Sequence, residues 1–432
     1  MLKQLKSVYD RLPKEYLKFL RYTPDRILFG KAYGEWKDKI SFDESITAVN
    51  LYETLTYAQK HTEYGKYCIK NITVDNVFEK LEELPCVTSS DIAENLGYYT
   101  SDEFNRTNSY MTTTGGTGGK PVTLLLSDKL FGIEWAHVHH VWSLAGYDRK
   151  KHIKLTLRGK SLNGNKLVEY NPLYNELIVD TFKVKYDNFA LLENELKTFD
   201  IKYIHGYPSL VKEYMGYFAM TGYKPELNGI LLASEGCSPE DKREMTDFFG
   251  CRVVTFYGQS ERALMAVDVN SDEIYKVYTS YGYPRTVDGE LVLTSFVNRA
   301  MPLINYKIGD GAEVFRKDGY IYMRNLTSRR GKDFIWLDRN KKIPTTSINL
   351  HSMIQNEIFC YQIYQKEYGS IEIRLVKKMS CTMSDETLVS RFREEMQNNL
   401  KDFRIDVRLV REDEIIKSER GKMRMLVQKI GV

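Results

Sequence analysis

Hydrophobic and polar positions divide the chain into stretches of different periodicity. Residues 1–110 carry aromatic and leucine positions at helical spacing and few glycines, which predicts mainly helical structure. Within them, residues 81–96 (LEELPCVTSSDIAENL) predict a helix end, a proline break and a new helix capped near Ser89 or Ser90. Another helix is expected beyond residue 122, with Ser127 as its candidate cap.

From residue 151 to 260 the pattern alternates between strand and helix with short connections. Hydrophobic runs such as HIKLTLRG, IKYIHG, GILLAS and CRVVTFYG are separated by helical patterns such as PSLVKEYMGYFAM. Such alternation predicts crossover units and a largely parallel sheet. Ser238, followed by Pro239 and two acidic residues, is a strong helix start, and Gly250 is expected to end that helix.

The last third of the chain predicts two further units. Residues 289–325 are β-rich, with turns at Asp288–Gly289 and Asp318–Gly319. After the polar stretch TSRRGKDF, the segments IEIRLVKK, DETLVSRFREEMQNNL and IDVRLVRE predict a strand, a helix and a strand. The fold class is therefore α/β and α+β, with a large N-terminal domain of packed α/β subdomains containing a β-rich block, and a small C-terminal α+β domain.

Composition excludes several classes of protein. At 432 residues the chain exceeds the size of one hydrophobic core, and 42% hydrophobic with 28% charged residues is ordinary for a soluble protein. The net charge of +4 is small and scattered, so neither nucleic acid nor membrane insertion is expected. No signal peptide or apolar span is found, so a cytoplasmic location is expected. Six cysteines without a CxxC pair indicate free, buried thiols.

The most unusual stretch is TTTGGTGGKP, residues 112–121. Glycines let consecutive backbone N–H groups point inward at an anion, threonines add donors, and Lys120 adds a positive charge, so the stretch predicts a triphosphate-binding loop. It is not a Walker A loop, because Thr114 stands where the first glycine belongs and Pro121 follows the lysine. It does not fit the dinucleotide fingerprint either. By itself, a flexible hairpin or linker explains it almost as well.

Four more blocks follow this loop in a fixed order. They are ASEG (233–236), YGQSE (257–261), YKIGD (306–310) and SERGKMR (418–424). With the loop, they resemble the adenylate-forming superfamily of acyl-CoA synthetases and related ligases. Four stretches are similar to the phenylacetate–coenzyme A ligase and capsule-biosynthesis (CapK-like) branch. They are TTGGTGGKP in the loop, LPCVTSSDI earlier in the chain, GYPS at 206–209 and ERGKMR near the end. The resemblance spans residues 81–425.

The resemblance implies a role for each matching residue. Lys422 would be catalytic, bridging the carboxylate and the α-phosphate of ATP, and Glu261 would be catalytic by holding magnesium. Tyr257 would stack on adenine, and Asp310 would accept hydrogen bonds from the ribose. Without the resemblance, Tyr257 is a strand-end aromatic, Glu261 a surface acid and Asp310 a turn residue. The implied nucleotide-binding set is Thr113, Thr114, Gly115, Gly116, Thr117, Lys120, Ser234, Glu235, Gly236, Tyr257, Gly258, Gln259, Ser260, Asp310 and Arg330.

The resemblance also implies a mobile C-terminal domain. It places the N-terminal adenylation domain at 1–328, a hinge at 329–332 with Lys332 as the pivot, and the mobile domain at 333–432. Two positions depart from the family pattern: Arg329 replaces the usual glycine before the hinge, and Gly118 stands where a hydroxyl residue is commoner.

The implied reaction is activation of a carboxylate by ATP, giving acyl-AMP and pyrophosphate, and then acyl transfer. The cofactors are ATP and magnesium, and the partners are a small-molecule carboxylate and an acyl acceptor. Coenzyme A is the expected acceptor; an amine, or a non-catalytic nucleotide-binding relative, is the alternative. His205, Tyr207 and Ala233 are the candidate substrate pocket, although a histidine bonded to the backbone beside a turn explains His205 equally well. A homodimer is one option for the assembly.

The run HVHH, from His137 to His140, is a candidate metal site. Two histidines three apart share a helical face, but no cysteine or acidic ligand stands at matching spacing. An amphipathic helix surface is therefore the expected setting for these histidines.

Overall fold

The structure is a computed structural model. It describes residues 14–113, 122–181, 183–184, 188–234, 236–268, 270–327, 334–345, 348, 354, 357–378, 381–416 and 425–430.

The N-terminal hundred residues are helical, as predicted. After a 3₁₀ helix at Lys14–Tyr22, the helices are α1 (Asp25–Leu28), α2 (Lys31–Lys37), α3 (Thr47–His61), α4 (Glu63–Cys68), α5 (Val77–Glu83), α6 (Ser89–Glu94) and α7 (Leu96–Tyr99), with a short 3₁₀ turn at Glu44–Ile46. The cap of α6 is Thr88, not Ser89 or Ser90. Thr88 and Asp91 form a reciprocal capping box, which satisfies two N–H groups at once.

A hairpin and a long helix follow. Strands β1 (Ser109–Thr113) and β2 (Thr123–Ser127) pair antiparallel and flank the glycine-rich loop. Helix α8 (Leu130–Ser143) comes next. Its cap position is Lys129, without a side-chain bond, so the expected cap at Ser127 is wrong: Ser127 ends β2 and accepts a hydrogen bond from the Lys129 N–H.

The described residues place ten strands in one sheet. The strands are β3 (Ile153–Leu157), β4 (Val168–Asn171), β5 (Glu176–Val179), β6 (Ile201–Gly206), β7 (Gly229–Leu232), β8 (Arg252–Gly258), β9 (Met265–Asp268), β10 (Tyr275–Val277), β14 (Gly311–Lys317) and β15 (Tyr320–Thr327). Their order is β14-β15-β10-β9-β8-β7-β6-β3-β5-β4. The predicted parallel part is confirmed: β5, β3, β6, β7 and β8 run parallel, and the outer strands are antiparallel.

This sheet separates two hydrophobic cores, because successive residues of a strand face opposite sides. Tyr203 packs in one core with α8, whereas Ile204 packs in the other. The second core is closed by α9 (Phe189–Leu196), α10 (Pro208–Thr221) and α11 (Pro239–Phe249). Ser238 caps α11 and Gly250 ends it in the left-handed conformation, as predicted. In α10, Tyr214 is buried in this core, whereas Met220 is exposed.

The predicted β-rich block is also present. Strands β11 (Gly282–Val287), β12 (Glu290–Ser295) and β13 (Tyr306–Lys307) form a separate sheet. At both predicted turns, Asp288–Gly289 and Asp318–Gly319, the two central residues have positive φ, which is the geometry of a two-residue hairpin loop.

The C-terminal unit has its own sheet and core. It comprises β16 (Phe334–Trp336), β17 (Lys342–Pro344), β18 (Ile358–Glu367), β19 (Ser370–Lys377), α12 (Asp385–Asn399), β20 (Arg404–Leu409), a 3₁₀ turn at Glu412–Glu414 and β21 (Leu426–Gln428). The sheet order is β20-β19-β18-β21, and α12 buries Leu388, Phe392 and Met396 in its core. The predicted strand, helix and strand of this unit are confirmed.

Candidate active site at the carboxyl edge of the parallel sheet

The carboxyl ends of the parallel strands bring the predicted residues to one edge. Tyr207 follows β6, Ala233 and Ser234 follow β7, and Gln259 follows β8. Helices α10 and α11 begin at this edge as well, at Pro208 and Pro239. Ligands of open α/β sheets bind there, since loops and helix N-termini converge outside the strand ends.

Gly206 shows how closely this edge is packed. A Cβ atom at Gly206 would lie 2.4 Å from the carbonyl oxygen of Leu157, its neighbour on β3. The Tyr207 N–H donates to that same oxygen at 3.2 Å, and the Ala233 N–H donates to the Gly206 oxygen at 3.3 Å. The strand ends are therefore linked by hydrogen bonds beyond the last ladder pair, which fixes the backbone of the candidate pocket.

Tyr257 and Asp310 meet, although they are far apart in sequence. The Tyr257 hydroxyl donates to Asp310 Oδ2 at 2.8 Å. Burial, reinforced by the Asp310 carboxylate, holds the pKa of Tyr257 well above its usual range, so the hydroxyl keeps its proton. Asp310 is placed by the β-rich block, because the Leu291 N–H donates to its backbone oxygen at 2.8 Å. Tyr257 at the end of β8 and Asp310, directly before β14, thus form one polar pair of predicted nucleotide-binding residues.

Glu261 lies in a tight turn directly after β8. Its side chain is buried at 6% exposure, which corrects the alternative of a surface acid. The Arg262 N–H donates to the Gln259 carbonyl at 3.1 Å, and Gln259 Oε1 accepts from the N–H groups of Ala263 and Leu264. Arg262 has φ of 54°, a left-handed conformation that is uncommon outside glycine. Ser260 and Gly258 are exposed beside this turn.

Three residues that the motifs do not include support this turn. Arg262 forms an ion pair with Glu134 of α8, whose other carboxylate oxygen accepts a hydrogen bond from the Tyr281 hydroxyl. Burial raises the pKa of Tyr110 in β1, and the charges of Arg262 and Glu134 also affect that pKa. The ion pair therefore connects the turn carrying Glu261 to the helix that follows the glycine-rich loop. Arg262 adjoins the YGQSE block, but no spacing in the sequence indicates Glu134 or Tyr281.

The segment after β7 is open to solvent. Ser234 is exposed and has φ of 72°, and Gly236 is exposed with no atom near its would-be Cβ position. Ala233 is buried beneath them. Ser234 and Gly236 are thus accessible to a ligand, which is compatible with their predicted place in the nucleotide-binding set.

His205 is buried one residue before the edge. Its Nδ1 lies 2.8 Å from the Leu231 carbonyl oxygen, so Nδ1 carries the proton, and its ring centroid lies 4.8 Å from that of Trp142. Burial, assisted by the nearby charge of Arg158, lowers the pKa of His205 to about 3. The backbone-bonded histidine that the sequence left open is thus observed, and a contact with substrate stays a prediction.

Several predicted site residues lie outside the described residues. They are Thr114, Gly115, Gly116, Thr117, Lys120, Glu235, Arg330, Lys332 and Lys422. The hinge at 329–332 lies outside them too. Thr113 is described: it ends β1, paired with Thr123.

The histidines of α8 are not on an amphipathic surface, so that expectation is wrong. His137 is fully buried and contacts the Ile133 carbonyl and the Ser280 hydroxyl, while His139 and His140 bond Tyr33 and Tyr278. His137 lies on the side of α8 that packs into the core, whereas His139 and His140 are only partly buried. Within the described ranges, no group of three or more His, Cys, Asp or Glu side chains is arranged to hold a metal ion.

All six cysteines are free, as expected, although burial holds only for Cys237, Cys251 and Cys360. Among the helices described, none combines the length and apolar character needed to span a membrane.

Comparison with solved structures defines the class of fold. 2-Hydroxyisobutyryl-CoA ligase in complex with 2-HIB-AMP and CoA, in the thioesterification state, matches with a TM-score of 0.54 at 16% identity, over 90% of each chain. The same enzyme in the postadenylation state with R3-HIB-AMP matches with a TM-score of 0.51 at 15% identity, over 89% of each chain. The chain thus has the fold of adenylate-forming CoA ligases, which confirms the resemblance inferred from its motifs.

Comparison with curated proteins is consistent with the CapK-like branch that the motifs indicated. The chain is similar to protein CapK of Staphylococcus aureus, with 22% identity over 354 residues that cover 75% of this chain and 76% of CapK. No protein family model matches the chain.

Proposed function

We propose that this chain is an adenylate-forming ligase that activates a carboxylate with ATP and then transfers the acyl group to the thiol of coenzyme A. The observation that carries this proposal is the meeting of Tyr257, Asp310 and the turn of Glu261 at the carboxyl edge of the parallel sheet. These residues come from two of the ordered motifs, and their position at the carboxyl edge, where open α/β sheets commonly bind ligands, supports the proposal.

The first step joins two anions, and this sets the requirement for positive charge. A carboxylate oxygen attacks the α-phosphate of ATP, pyrophosphate leaves, and the acyl group becomes bound to AMP. At ~4 Å, a lysine and a phosphate oxygen attract by about 4 kcal/mol at an effective dielectric of 20. Lys422 is the residue to which the sequence resemblance gives this task, and Lys120 adds a positive charge in the predicted triphosphate-binding loop. Asp310 would hold the ribose, since a carboxylate can accept two hydroxyl donors at once.

Glu261 has the side-chain chemistry of a magnesium ligand. Magnesium in nucleotide sites is usually held by one or two carboxylates together with phosphates and water, so a single buried carboxylate at this edge is sufficient from the protein. The ion would supply charge neutralisation of the phosphates. The Arg262–Glu134 ion pair would keep the turn that carries Glu261 in place.

Coenzyme A is favoured as acceptor because the 2-hydroxyisobutyryl-CoA ligase structure that shares this fold contains both an acyl-AMP and CoA. In the second step the thiol would attack the acyl carbon and AMP would leave. An amine acceptor would use the same adenylate, so the first half-reaction is common to both alternatives.

The test separates the two half-reactions. Pyrophosphate exchange into ATP is measured against a panel of aryl, fatty, hydroxy and amino acids, and release of AMP is then measured with coenzyme A or with amines. Lys422→Ala should abolish exchange yet spare transfer from a synthetic acyl-adenylate. Measurable ATP binding without exchange on any carboxylate would instead indicate a non-catalytic nucleotide-binding protein. Equal loss in both steps would contradict the proposal that the mobile C-terminal domain brings Lys422 to the site for the first step only.

A further inference from the structure

Arg158 stands at the same carboxyl edge, directly after β3, and the site described above does not use it. Leu157, the residue before it, pairs with Gly206 of β6. The Arg158 carbonyl accepts a hydrogen bond from the Thr181 hydroxyl at 3.2 Å, which fixes the backbone from which the side chain extends. The guanidinium is thereby held at a defined place next to the candidate acyl pocket.

The Arg158 side chain is partly buried and lies over the ring of Tyr207, with 5.5 Å between the guanidinium carbon and the ring centroid. In the part of the chain that the structure describes, no carboxylate lies within ion-pair distance of it. By contrast, Arg149 and Arg262 of the same unit pair with Asp25 and Glu134. The nearby carboxylate of Glu176 is engaged by Lys154 at 3.1 Å and by the Thr156 hydroxyl at 2.9 Å.

His205 adds a polar group, but no charge, to the surroundings of Arg158. Its Nδ1–H is used by the Leu231 carbonyl, so Nε2 is an acceptor, and the ring is neutral at physiological pH. The charge of Arg158 contributes to the lowered pKa of His205, and the guanidinium lies over the ring of Tyr207. Arg158 therefore presents, beside Tyr207, a positive charge that no carboxylate among the described residues neutralises.

The position along the edge sets where a ligand would meet this charge. The strand order β8-β7-β6-β3 puts Arg158 three strands away from Tyr257. With about 4.8 Å between neighbouring strands, the separation is roughly 14 Å. An acyl-adenylate held at Tyr257 and Asp310 would reach Arg158 if its acyl chain runs along this edge toward β3.

We propose that Arg158, Tyr207 and His205 form the far end of the acyl pocket, and that the substrate is an acid carrying a second carboxylate remote from the one that is activated. This inference rests on the proposed function. Arg recognises a carboxylate through two parallel hydrogen bonds, and a substrate without that group would leave the guanidinium desolvated and unpaired.

The test compares matched acids in pyrophosphate exchange. Adipate is paired with its monomethyl ester, and 4-carboxyphenylacetate with 4-methylphenylacetate. The wild type should prefer each diacid by roughly 10- to 100-fold in kcat/KM, mainly through KM. Arg158→Met should abolish the preference while exchange with the neutral acids persists, and Arg158→Lys should keep part of it. Arg243→Met, an exposed arginine paired with Glu240 on α11, is the matched control and should behave as wild type.

Calorimetric titration of adipate onto the wild type and Arg158→Met, with a non-hydrolysable ATP analogue present, gives a second readout that needs no turnover. Weaker binding to the variant supports the proposal. A wild-type preference for the neutral acids, or an unchanged diacid preference in Arg158→Met, overturns it while leaving the proposed function intact. Absence of exchange with every acid overturns the proposed function itself.

Discussion

The two ends of the carboxyl edge differ in how their charges are compensated. At the β8 end, Asp310 accepts from Tyr257, and Arg262 is paired with Glu134. At the β3 end, Arg158 stacks on Tyr207 and meets no carboxylate among the described residues. The polar groups at the β8 end are paired within the protein before a ligand binds. The charge of Arg158 at the β3 end is left for a ligand to neutralise.

This difference fits two kinds of recognition. Polar groups whose geometry is fixed in advance need no reorganisation when the ligand binds, which suits a nucleotide that is the same in every turnover. A charge without a protein partner discriminates among ligands, because only some of them can neutralise it. The β8 end and the β3 end can therefore be tested separately by substitution.

The largest effect is expected from Asp310→Asn. Removing the negative charge weakens hydrogen bonds that involve a charged acceptor, each worth about 1.5–3 kcal/mol, so kcat/KM for ATP in pyrophosphate exchange should fall roughly 10- to 100-fold. Tyr257→Phe removes only a hydroxyl donor to Asp310 and should cost less than ~10-fold. Asp288→Asn, in an exposed hairpin turn of the same β-rich block, is the control. Equal losses in the Asp310 and Tyr257 variants would mean that Asp310 acts only by holding Tyr257.

A smaller effect, on stability as well as activity, is expected from Arg262→Leu. It leaves Glu134 mostly buried without its cation, so the free energy of unfolding in urea should decrease by about 2 kcal/mol, less than for a fully buried pair. KM for magnesium–ATP should rise, because the turn carrying Glu261 loses its anchor. Arg243→Leu breaks an exposed pair with Glu240 and should change stability by less than about 1 kcal/mol. A variant that loses stability but keeps KM would show that the ion pair has no part in ATP binding.

The smallest effect per group concerns pH and the buried histidines. Burial lowers the pKa of His137 to about 4 and that of His205 to about 3, whereas an unfolded histidine titrates near ~6.5. Below pH ~6.5 the unfolded state binds more protons, so stability falls as the pH falls, by about 1–2 kcal/mol for each histidine between pH 7 and pH 5. Urea titrations at both pH values should show this loss. His205→Gln should reduce the pH dependence by one histidine's share, and an unchanged dependence would mean that His205 is protonated in the folded protein.

Local patterns predicted much of this fold. The alternation of strands and helices from 151 to 260, the cap at Ser238, the left-handed Gly250 and the two Asp-Gly hairpins are all decided by residues within a few positions of each other. By contrast, β4 and β5 were not predicted, because strands of four residues joined by a tight turn carry little periodicity of their own. Their place is set by the parallel pairing of β5 with β3.

The same limit applies to the candidate site. The YGQSE and YKIGD blocks pointed to Tyr257, Glu261 and Asp310 through their resemblance to adenylate-forming ligases, and Tyr257 also stands at a predicted strand end. His137 was misplaced on a helix surface, because helical spacing shows which residues share a face but not how many neighbours enclose the helix.

The parallel core and the α/β class of fold could be predicted from local patterns, because they depend on short-range periodicity and turn chemistry. The hydrogen bond of Tyr257 with Asp310, the ion pair of Glu134 with Arg262, and the lack of a carboxylate partner for Arg158 among the described residues became known from the folded chain alone. Such pairings join residues as many as 128 positions apart, as between Glu134 and Arg262. They depend on which strand ends and helices are brought side by side, and no local pattern encodes that.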